Sequence, residues 1–100
     1  TIIAVIDYGG RLYMTTKTIT IQNDVGLHAR PATFFIQKAN SYKSTIVIEK
    51  GNRRANAKSL LGVLSLGIEK GHDIIVRAEG VDEAEAVEGL TDLLLNGFND

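Results

Sequence analysis

The stretch from Gly26 to Ala32 (Gly-Leu-His-Ala-Arg-Pro-Ala) contains the residues best suited to chemistry. His28 offers a nucleophilic imidazole, and Arg30 offers a guanidinium that can hold two oxygens of a phosphate. Because proline is tolerated in a helix only in its first turn, Pro31 predicts a helix start close to His28. The free N–H groups and the dipole of a helix start attract anions. The stretch therefore fits phosphoryl transfer through His28, with Arg30 stabilising the phosphate. On spacing alone, the competing role of His28 is that of a helix cap or a solvated surface residue.

A second stretch, Asn56–Gly67, carries Ser59 at the start of another predicted helix. A serine in this position typically serves as the N-cap, its hydroxyl oxygen accepting a backbone N–H of the first turn. A phosphate added to such a hydroxyl can be accommodated by the helix start without unfolding it. Capping is therefore the role that the spacing predicts for Ser59.

The helix that follows Ser59 has more leucines than a short helix can bury. We expect Val63 and Leu66 to face the core and the other leucines to form a partly exposed apolar patch near His28, rimmed by Arg30, Lys38 and Lys58. A small apolar patch rimmed by cations suits a contact that forms and releases quickly. The predicted docking surface consists of Pro31, Lys38, Lys58, Leu60, Leu61 and Leu64.

Hydrophobic periodicity gives the elements that must position these residues. Alternation predicts strands, helical spacing predicts helices, and Asp82 is the expected N-cap of the last helix, which Gly97 ends. The predicted strands are Thr18–Gln22, Thr45–Lys50, Arg53–Asn56 and Asp73–Glu79, and the other helices are Ala29–Ser41 and Lys58–Ile68. This β-α-β-β-α-β-α order predicts an α+β open-faced β-sandwich. Its four-stranded antiparallel sheet carries three helices on one face and leaves the other face open to solvent.

Residues 1–13 precede the only methionine, Met14. We expect them to be an extension of cloning or upstream-reading origin, and residues 14–100 to form the domain. The alternative is a true N-terminal arm. Its β-branched residues, within Ile2–Ile6, favour an added edge strand.

Length, charge and composition limit the functional classes. A chain of 100 residues with a net charge of −1 forms one domain and has no general attraction to nucleic acid or anionic lipid. It contains no cysteine, which removes disulfides and thiolate chemistry. The longest apolar run, Ile2–Ile6, is far below the ~20 residues of a membrane span, and no basic segment precedes it. We expect a cytoplasmic protein with no membrane insertion, no metal and no cofactor; His72, in the turn before Asp73, should be solvated.

Taken together, Gly26–Ala32 and Asn56–Gly67 resemble the two signature motifs of HPr, the histidine-containing phosphocarrier of the bacterial phosphoenolpyruvate:sugar phosphotransferase system. The resemblance extends from about Thr18 to Phe98. It implies that phosphorylated enzyme I phosphorylates a ring nitrogen of His28, which then donates to the IIA component of a sugar permease. Arg30 matches the phosphate-contacting arginine of the family. The chain would then be a phosphoryl-transfer intermediate rather than an independent enzyme. We also expect it to be a monomer.

The resemblance also implies regulation at Ser59. In many bacteria this position of the family is the target of an HPr kinase/phosphorylase. The added negative charge slows the phosphorylation of the histidine by enzyme I, and the Ser-phosphorylated form binds a catabolite-control repressor.

Three alternatives compete with this interpretation, the first within the same class and the other two in different classes. The nitrogen-related phosphocarrier has a similar end, Leu95–Phe98, and regulatory partners, but the stretch around Ser59 resembles the sugar-system carrier more closely. A regulatory binding module that keeps the serine lacks the histidine, so His28 argues against it. An enzyme with a phosphohistidine intermediate needs a general acid and a substrate pocket, which the sequence does not indicate.

Overall fold

The computed structural model describes residues 2–6, 12–24 and 26–96. The strands are β1 (Ile2–Ile6), β2 (Leu12–Thr20), β3 (Thr45–Lys50), β4 (Arg53–Asn56) and β5 (Asp73–Glu79), and the helices are α1 (Ala29–Asn40), α2 (Leu60–Ser65) and α3 (Glu83–Leu95). From β2 onward this is the predicted β-α-β-β-α-β-α order, and β3, β4 and β5 have the predicted bounds.

All neighbouring strands of the sheet are antiparallel, in the order β1-β2-β5-β3-β4. The predicted four-stranded sheet is the β2-β5-β3-β4 part, and this prediction is confirmed. The strand β1 adds a fifth member beside β2, with Ile2 opposite Lys17 and Val5 opposite Met14. The predicted edge strand therefore exists, while the origin of residues 1–13 stays a prediction.

The helix α1 ends one residue before its prediction, and two other elements differ more. Pairing with β1 and β5 makes β2 start at Leu12 and end at Thr20, where Thr18–Gln22 was predicted. The helix α2 is shorter than the predicted Lys58–Ile68. Ser59 is extended, and Gly67 has a φ of 60°, a left-handed conformation that ends a helix. The end of α3 predicted at Gly97 lies outside the described residues.

The three helices pack on one face of the sheet. Alternate residues of the strands point into the core, and the open face carries the exposed Thr18, Thr20 and Thr45 with the half-buried Val47 and Arg77. The buried core includes Ile46, Ile48, Ile74, Val76 and Ala78 from the sheet and Phe35, Val63, Leu90 and Leu94 from the helices. All three helices therefore contribute apolar side chains to one core with the sheet.

Asp82 is the N-cap residue of α3, as predicted, but its side chain makes no cap hydrogen bond to that helix. Its carboxylate instead accepts the backbone N–H groups of Lys43 (2.8 Å) and Ser44 (2.9 Å) and the Ser44 hydroxyl. The Ser44 hydroxyl, followed by the Lys43 N–H, lowers the pKa of the Asp82 carboxyl below its ordinary value of 3.8. Asp82 therefore ties the start of α3 to the segment that enters β3.

Asp82→Asn is expected to lower the unfolding midpoint at neutral pH. Because the pKa of the folded carboxyl is depressed, its stabilisation is fully present above pH 3.8 and is lost as the pH falls through the lower folded value. Thermal unfolding at a series of pH values should show the midpoints of the wild type and Asp82→Asn converging in acid. Asp92→Asn, which alters an exposed carboxylate of α3, is the matched control and should change little at any pH. A wild-type advantage over Asp82→Asn that stays constant down to pH 2.5 would contradict this account.

Candidate functional site

The loop that leads to His28 lies close against the segment that follows α2. Gly26 has a φ of 62°, and a Cβ there would lie 2.3 Å from the Ile68 oxygen and 2.7 Å from the Glu69 Cα. The Leu27 side chain is fully buried, and its backbone N–H donates to the Ile68 oxygen at 2.9 Å. Only glycine fits at position 26, so the backbone immediately before His28 is fixed by packing and by a hydrogen bond.

His28 is the N-cap residue of α1, as the position of Pro31 predicted. Its backbone is extended (φ −94°, ψ −167°), and its carbonyl accepts the Ala32 N–H at 2.8 Å. The side chain is exposed and makes no cap hydrogen bond. The ring nitrogens are therefore not used to cap the helix, and they face solvent where a partner can reach them.

The start of α1 can receive an anion. Ala32 is the first residue whose N–H is paired within the helix, and Pro31 has no N–H, so the Ala29 and Arg30 N–H groups have no intrahelical partner. The first turn, which lies within residues 26–96 of the described chain, contains no acidic residue to offset the helix dipole. Both features favour the binding of an anion at the helix start that follows His28.

Arg30 extends from the first turn of α1 over an aromatic ring. Its guanidinium carbon lies 5.8 Å from the centroid of Phe34, and the Phe34 side chain is 37% exposed. This contact keeps the cation on the outer face of α1, still in solvent. Sequence reasoning missed Phe34, although its i, i+4 spacing from Arg30 is the signal for such a pair.

Ser59 is the N-cap residue of α2, as predicted. Its hydroxyl oxygen accepts the Gly62 N–H at 3.1 Å. A Cβ at Gly62 would lie 3.2 Å from that oxygen and 3.3 Å from the Ala55 Cβ, so the backbone approaches the serine closely. The half-buried hydroxyl therefore has a structural role in starting this short helix.

His28 and Ser59 lie toward opposite ends of α1. The C-terminal end of α1 contacts the start of α2, where the Asn40 amide donates to the Lys58 oxygen at 3.4 Å. The N-terminal end contacts the segment after α2, through Leu27 and Ile68. Because α1 has 12 residues, these two points are roughly 16 Å apart along its axis.

The exposure predicted for the leucines of α2 is confirmed. Leu60 is 41% and Leu61 81% exposed, Leu64 is half-buried, and Val63 and Leu66 are buried.

The structure does not bring the predicted cations of the docking surface together around His28. The Lys38 Nζ lies 5.8 Å from the centroid of the Tyr42 ring. The Lys58 Nζ donates to the backbone carbonyl oxygen of Tyr42 at 2.8 Å. Both lysines are thus near the C-terminal end of α1, whereas Arg30 and the half-buried Pro31 are in its first turn.

His72 is not the solvated side chain that the sequence predicted. It is half-buried, and its Nδ1 accepts the Glu69 N–H at 2.9 Å. This contact joins residues three apart within a turn, and the pattern of polar and apolar residues does not reveal it.

Two further features are absent from the part of the chain that the structure describes. No helix there has the length and hydropathy needed to cross a membrane. Within the same residues, no three His, Cys, Asp or Glu side chains are grouped as a metal ion would need.

The fold and the site define a small α+β open-faced sandwich in which an exposed histidine is the N-cap residue of a helix whose first N–H groups have no intrahelical partner. The family model described as "PTS HPr component phosphorylation site" matches residues 15–96, and the chain belongs to the HPr family.

Solved structures of this family agree with that assignment. HPr-C-His from Thermoanaerobacter tengcongensis is 46% identical, with a TM-score of 0.82 over 85% of this chain and 96% of that one. The phosphocarrier protein HPr from Bacillus anthracis str. Ames is 41% identical, with a TM-score of 0.79 over 81% and 96%. The catabolite repression protein Crh of Bacillus subtilis, solved as a swapped dimer, is 35% identical, with a TM-score of 0.68 over 82% and 94%.

Proposed function

We propose that this chain is a cytoplasmic phosphocarrier of the phosphoenolpyruvate-dependent sugar phosphotransferase system. It accepts a phosphoryl group from phosphorylated enzyme I on His28 and donates it to IIA components of sugar permeases. The observation that carries this proposal is the exposed imidazole of His28, free of capping and next to the unpaired N–H groups of Ala29 and Arg30. Membership of the HPr family supports it.

The transfer balances as an exchange of one phosphorus bond for another. An unprotonated ring nitrogen of His28 attacks the phosphorus carried by enzyme I, a P–N bond forms, and the bond to enzyme I breaks with its electron pair. The helix start and Arg30 stabilise the charge of the moving group. In the second half, a nucleophile of the IIA component attacks the same phosphorus, and the electron pair of the P–N bond returns to His28.

The direct test is a relay assay. The purified chain is incubated with enzyme I and labelled phosphoenolpyruvate, and a IIA component is then added. We expect the chain to gain acid-labile label, as a P–N bond requires, and to lose it to IIA. A folded chain that takes no label from enzyme I would overturn the proposal.

Arg30→Ala is expected to slow phosphoryl transfer about 10-fold or more, because it removes a donor from the moving charge. Arg30→Lys keeps the charge but loses the two-point contact with phosphate, so its transfer rate should lie between those of the wild type and Arg30→Ala. Single-turnover transfer from phosphorylated enzyme I measures the effect. Equal rates for the wild type and Arg30→Ala would exclude Arg30 from the phosphate site.

We propose that the docking surface receives enzyme I and IIA. This surface comprises the exposed leucines of α2 (Leu60, Leu61 and the half-buried Leu64) with Pro31, Lys38 and Lys58. Apolar side chains at its centre and cations at its edge suit a transient partner with acidic residues. The proposed carrier is a monomer. The nitrogen-type phosphocarrier, with regulatory partners, remains the alternative, and transfer to a sugar-permease IIA distinguishes the two.

We also propose that Ser59 is phosphorylated by an HPr kinase/phosphorylase, and that the phosphorylated form binds a catabolite-control repressor. The similarity to Crh, which is named for catabolite repression, supports this proposal. A phosphate at position 59 adds negative charge beside Lys58 and the leucines of α2, at the end of α1 remote from His28. Its expected effect is therefore on docking with enzyme I.

Ser59→Asp should raise the KM for enzyme I about 10-fold, the result of roughly 1.4 kcal/mol of lost charge complementarity, with kcat nearly unchanged. Ser59→Ala is the control, because it lacks the cap hydrogen bond from Gly62 and adds no charge. It should cost about 1 kcal/mol of stability and leave the KM unchanged. A Ser59→Asp protein whose KM equals that of the wild type would contradict the regulatory role.

A further inference from the structure

We infer that His72 is a positioning residue for phosphoryl transfer: its Nδ1 holds closed the turn of residues 68–72, against which the loop carrying His28 is fixed. The inference rests on the proposed function, since it assigns a role in the His28 reaction. It concerns a histidine that belongs to neither signature motif.

The turn of residues 68–72 is closed by two hydrogen bonds between the same two residues. The Glu69 backbone N–H donates to the His72 Nδ1 at 2.9 Å, and the His72 backbone N–H donates to the Glu69 oxygen at 3.0 Å. An imidazole nitrogen that accepts a hydrogen bond carries no proton, so the ring proton of neutral His72 is on Nε2. The His72 side chain therefore accepts one of the two hydrogen bonds that close the turn.

This turn is hydrogen-bonded to the chain on both sides of the loop that leads to His28. On one side, the Ile21 N–H donates to the His72 oxygen and the Gly71 N–H to the Ile21 oxygen, both at 2.9 Å. On the other, the Leu27 N–H donates to the Ile68 oxygen, also at 2.9 Å. We call these three bonds the loop clamp. They fix both ends of the loop, and His28 is the residue that follows it.

The turn and the loop pack closely, so neither backbone can shift far without moving the other. A Cβ on Gly26 would overlap the Ile68 oxygen at 2.3 Å, so the two backbones are already in close contact, and the neighbouring Leu27 is fully buried. An exposed ion pair between Lys70 and Asp24, at 3.0 Å, also joins the turn to the loop. A shift of the turn must therefore move the backbone that aims the His28 ring.

Loss of the His72 acceptor should act on the transfer step more than on docking. The clamp borders the His28 end of α1, whereas Leu60 and Leu61 lie on α2. A looser turn broadens the orientations of the His28 ring, and small misplacements of a reacting group reduce rates strongly. A histidine with only a local structural role would lower stability and leave kcat unchanged.

The test compares His72→Ala, which removes the acceptor, with His72→Asn, whose Oδ1 is one bond from Cγ as the imidazole Nδ1 is and can accept the same N–H. For transfer from phosphorylated enzyme I, His72→Ala should lower kcat about 3- to 10-fold with the KM within about 2-fold, and His72→Asn should restore kcat to within about 2-fold of the wild type. Amide hydrogen exchange at Leu27, which needs no partner protein, should rise about 10-fold in His72→Ala alone.

The outcomes separate this inference from the proposed function. A His72→Ala protein with wild-type kcat, or a His72→Asn protein as slow as His72→Ala, would overturn the positioning role. Increased exchange at Leu27 with unchanged kcat would make the contact purely structural and overturn the role as well. A wild-type chain that accepts no phosphoryl group would instead overturn the proposed function, while the exchange at Leu27 would still show whether the clamp depends on His72.

Discussion

Replacing His28 by Ala is expected to abolish acid-labile phosphorylation of the chain by enzyme I and phosphoenolpyruvate, and to leave its folding nearly unchanged. The expected loss is complete because the imidazole is the group that forms the P–N bond. The side chain is exposed and makes no cap hydrogen bond, so its removal should change the free energy of unfolding by no more than about 0.5 kcal/mol. Label incorporation and thermal unfolding, measured on the same preparation, check both halves of the expectation.

The matched control for His28→Ala is His72→Asn, which removes the second of the two histidines and keeps a hydrogen-bond acceptor for the Glu69 N–H. This variant should take label as the wild type does. Acid-labile label that persists in His28→Ala would show that another residue carries the phosphoryl group, and the proposed mechanism would then be wrong.

Gly26→Ala is expected to destabilise the fold by about 3 kcal/mol or more, because it combines left-handed strain with an overlap. The new Cβ would meet the Ile68 oxygen and the Glu69 Cα, which are backbone atoms and cannot swing aside. Gly51→Ala is the matched control. Gly51 has a nearly equal φ of 60°, but a Cβ there has nothing within 4 Å, so only the strain of about 1 kcal/mol applies.

Urea unfolding of the two glycine variants separates strain from overlap. A domain of this length has a total stability of roughly 5–15 kcal/mol, so Gly26→Ala should shift the midpoint far more than Gly51→Ala does. Equal destabilisation of the two variants would mean that the Gly26 loop can move away from Ile68. The close contact between the loop and the turn would then not limit which residue position 26 can hold.

The sequence predicted most of the fold because local signals decide most of it. Alternation bounded by turn residues located β3, β4 and β5 correctly, and Pro31 located the start of α1. The C-terminal end of α2 was placed too late because the apolar spacing includes Ile68, which lies past the point where Gly67 turns the backbone. The side chain of Asp82 caps a segment nearly forty residues away rather than its own helix, and such a choice depends on packing that a local pattern does not contain.

The candidate site was predictable in its position and less so in its surroundings. The types and spacing of His28, Arg30 and Pro31 predicted a helix start and an anion site; α1 does start there, with His28 as its N-cap residue, and the anion site stays a prediction. Phe34 beneath Arg30 and the acceptor role of His72 were missed. Both are single contacts whose partners lie three or four residues away, and periodicity assigns such residues only to a buried or an exposed face.

The central claim, that His28 carries the phosphoryl group, is tested most directly by locating the phosphorus in the phosphorylated chain. The protein is labelled with ¹⁵N in its histidine rings and phosphorylated with enzyme I and phosphoenolpyruvate, and the ³¹P–¹⁵N coupling is recorded by NMR. The account predicts one coupling, to a ring nitrogen of His28, which disappears when a IIA component is added. A coupling to His72, or a phosphate attached to no ring nitrogen, would contradict it.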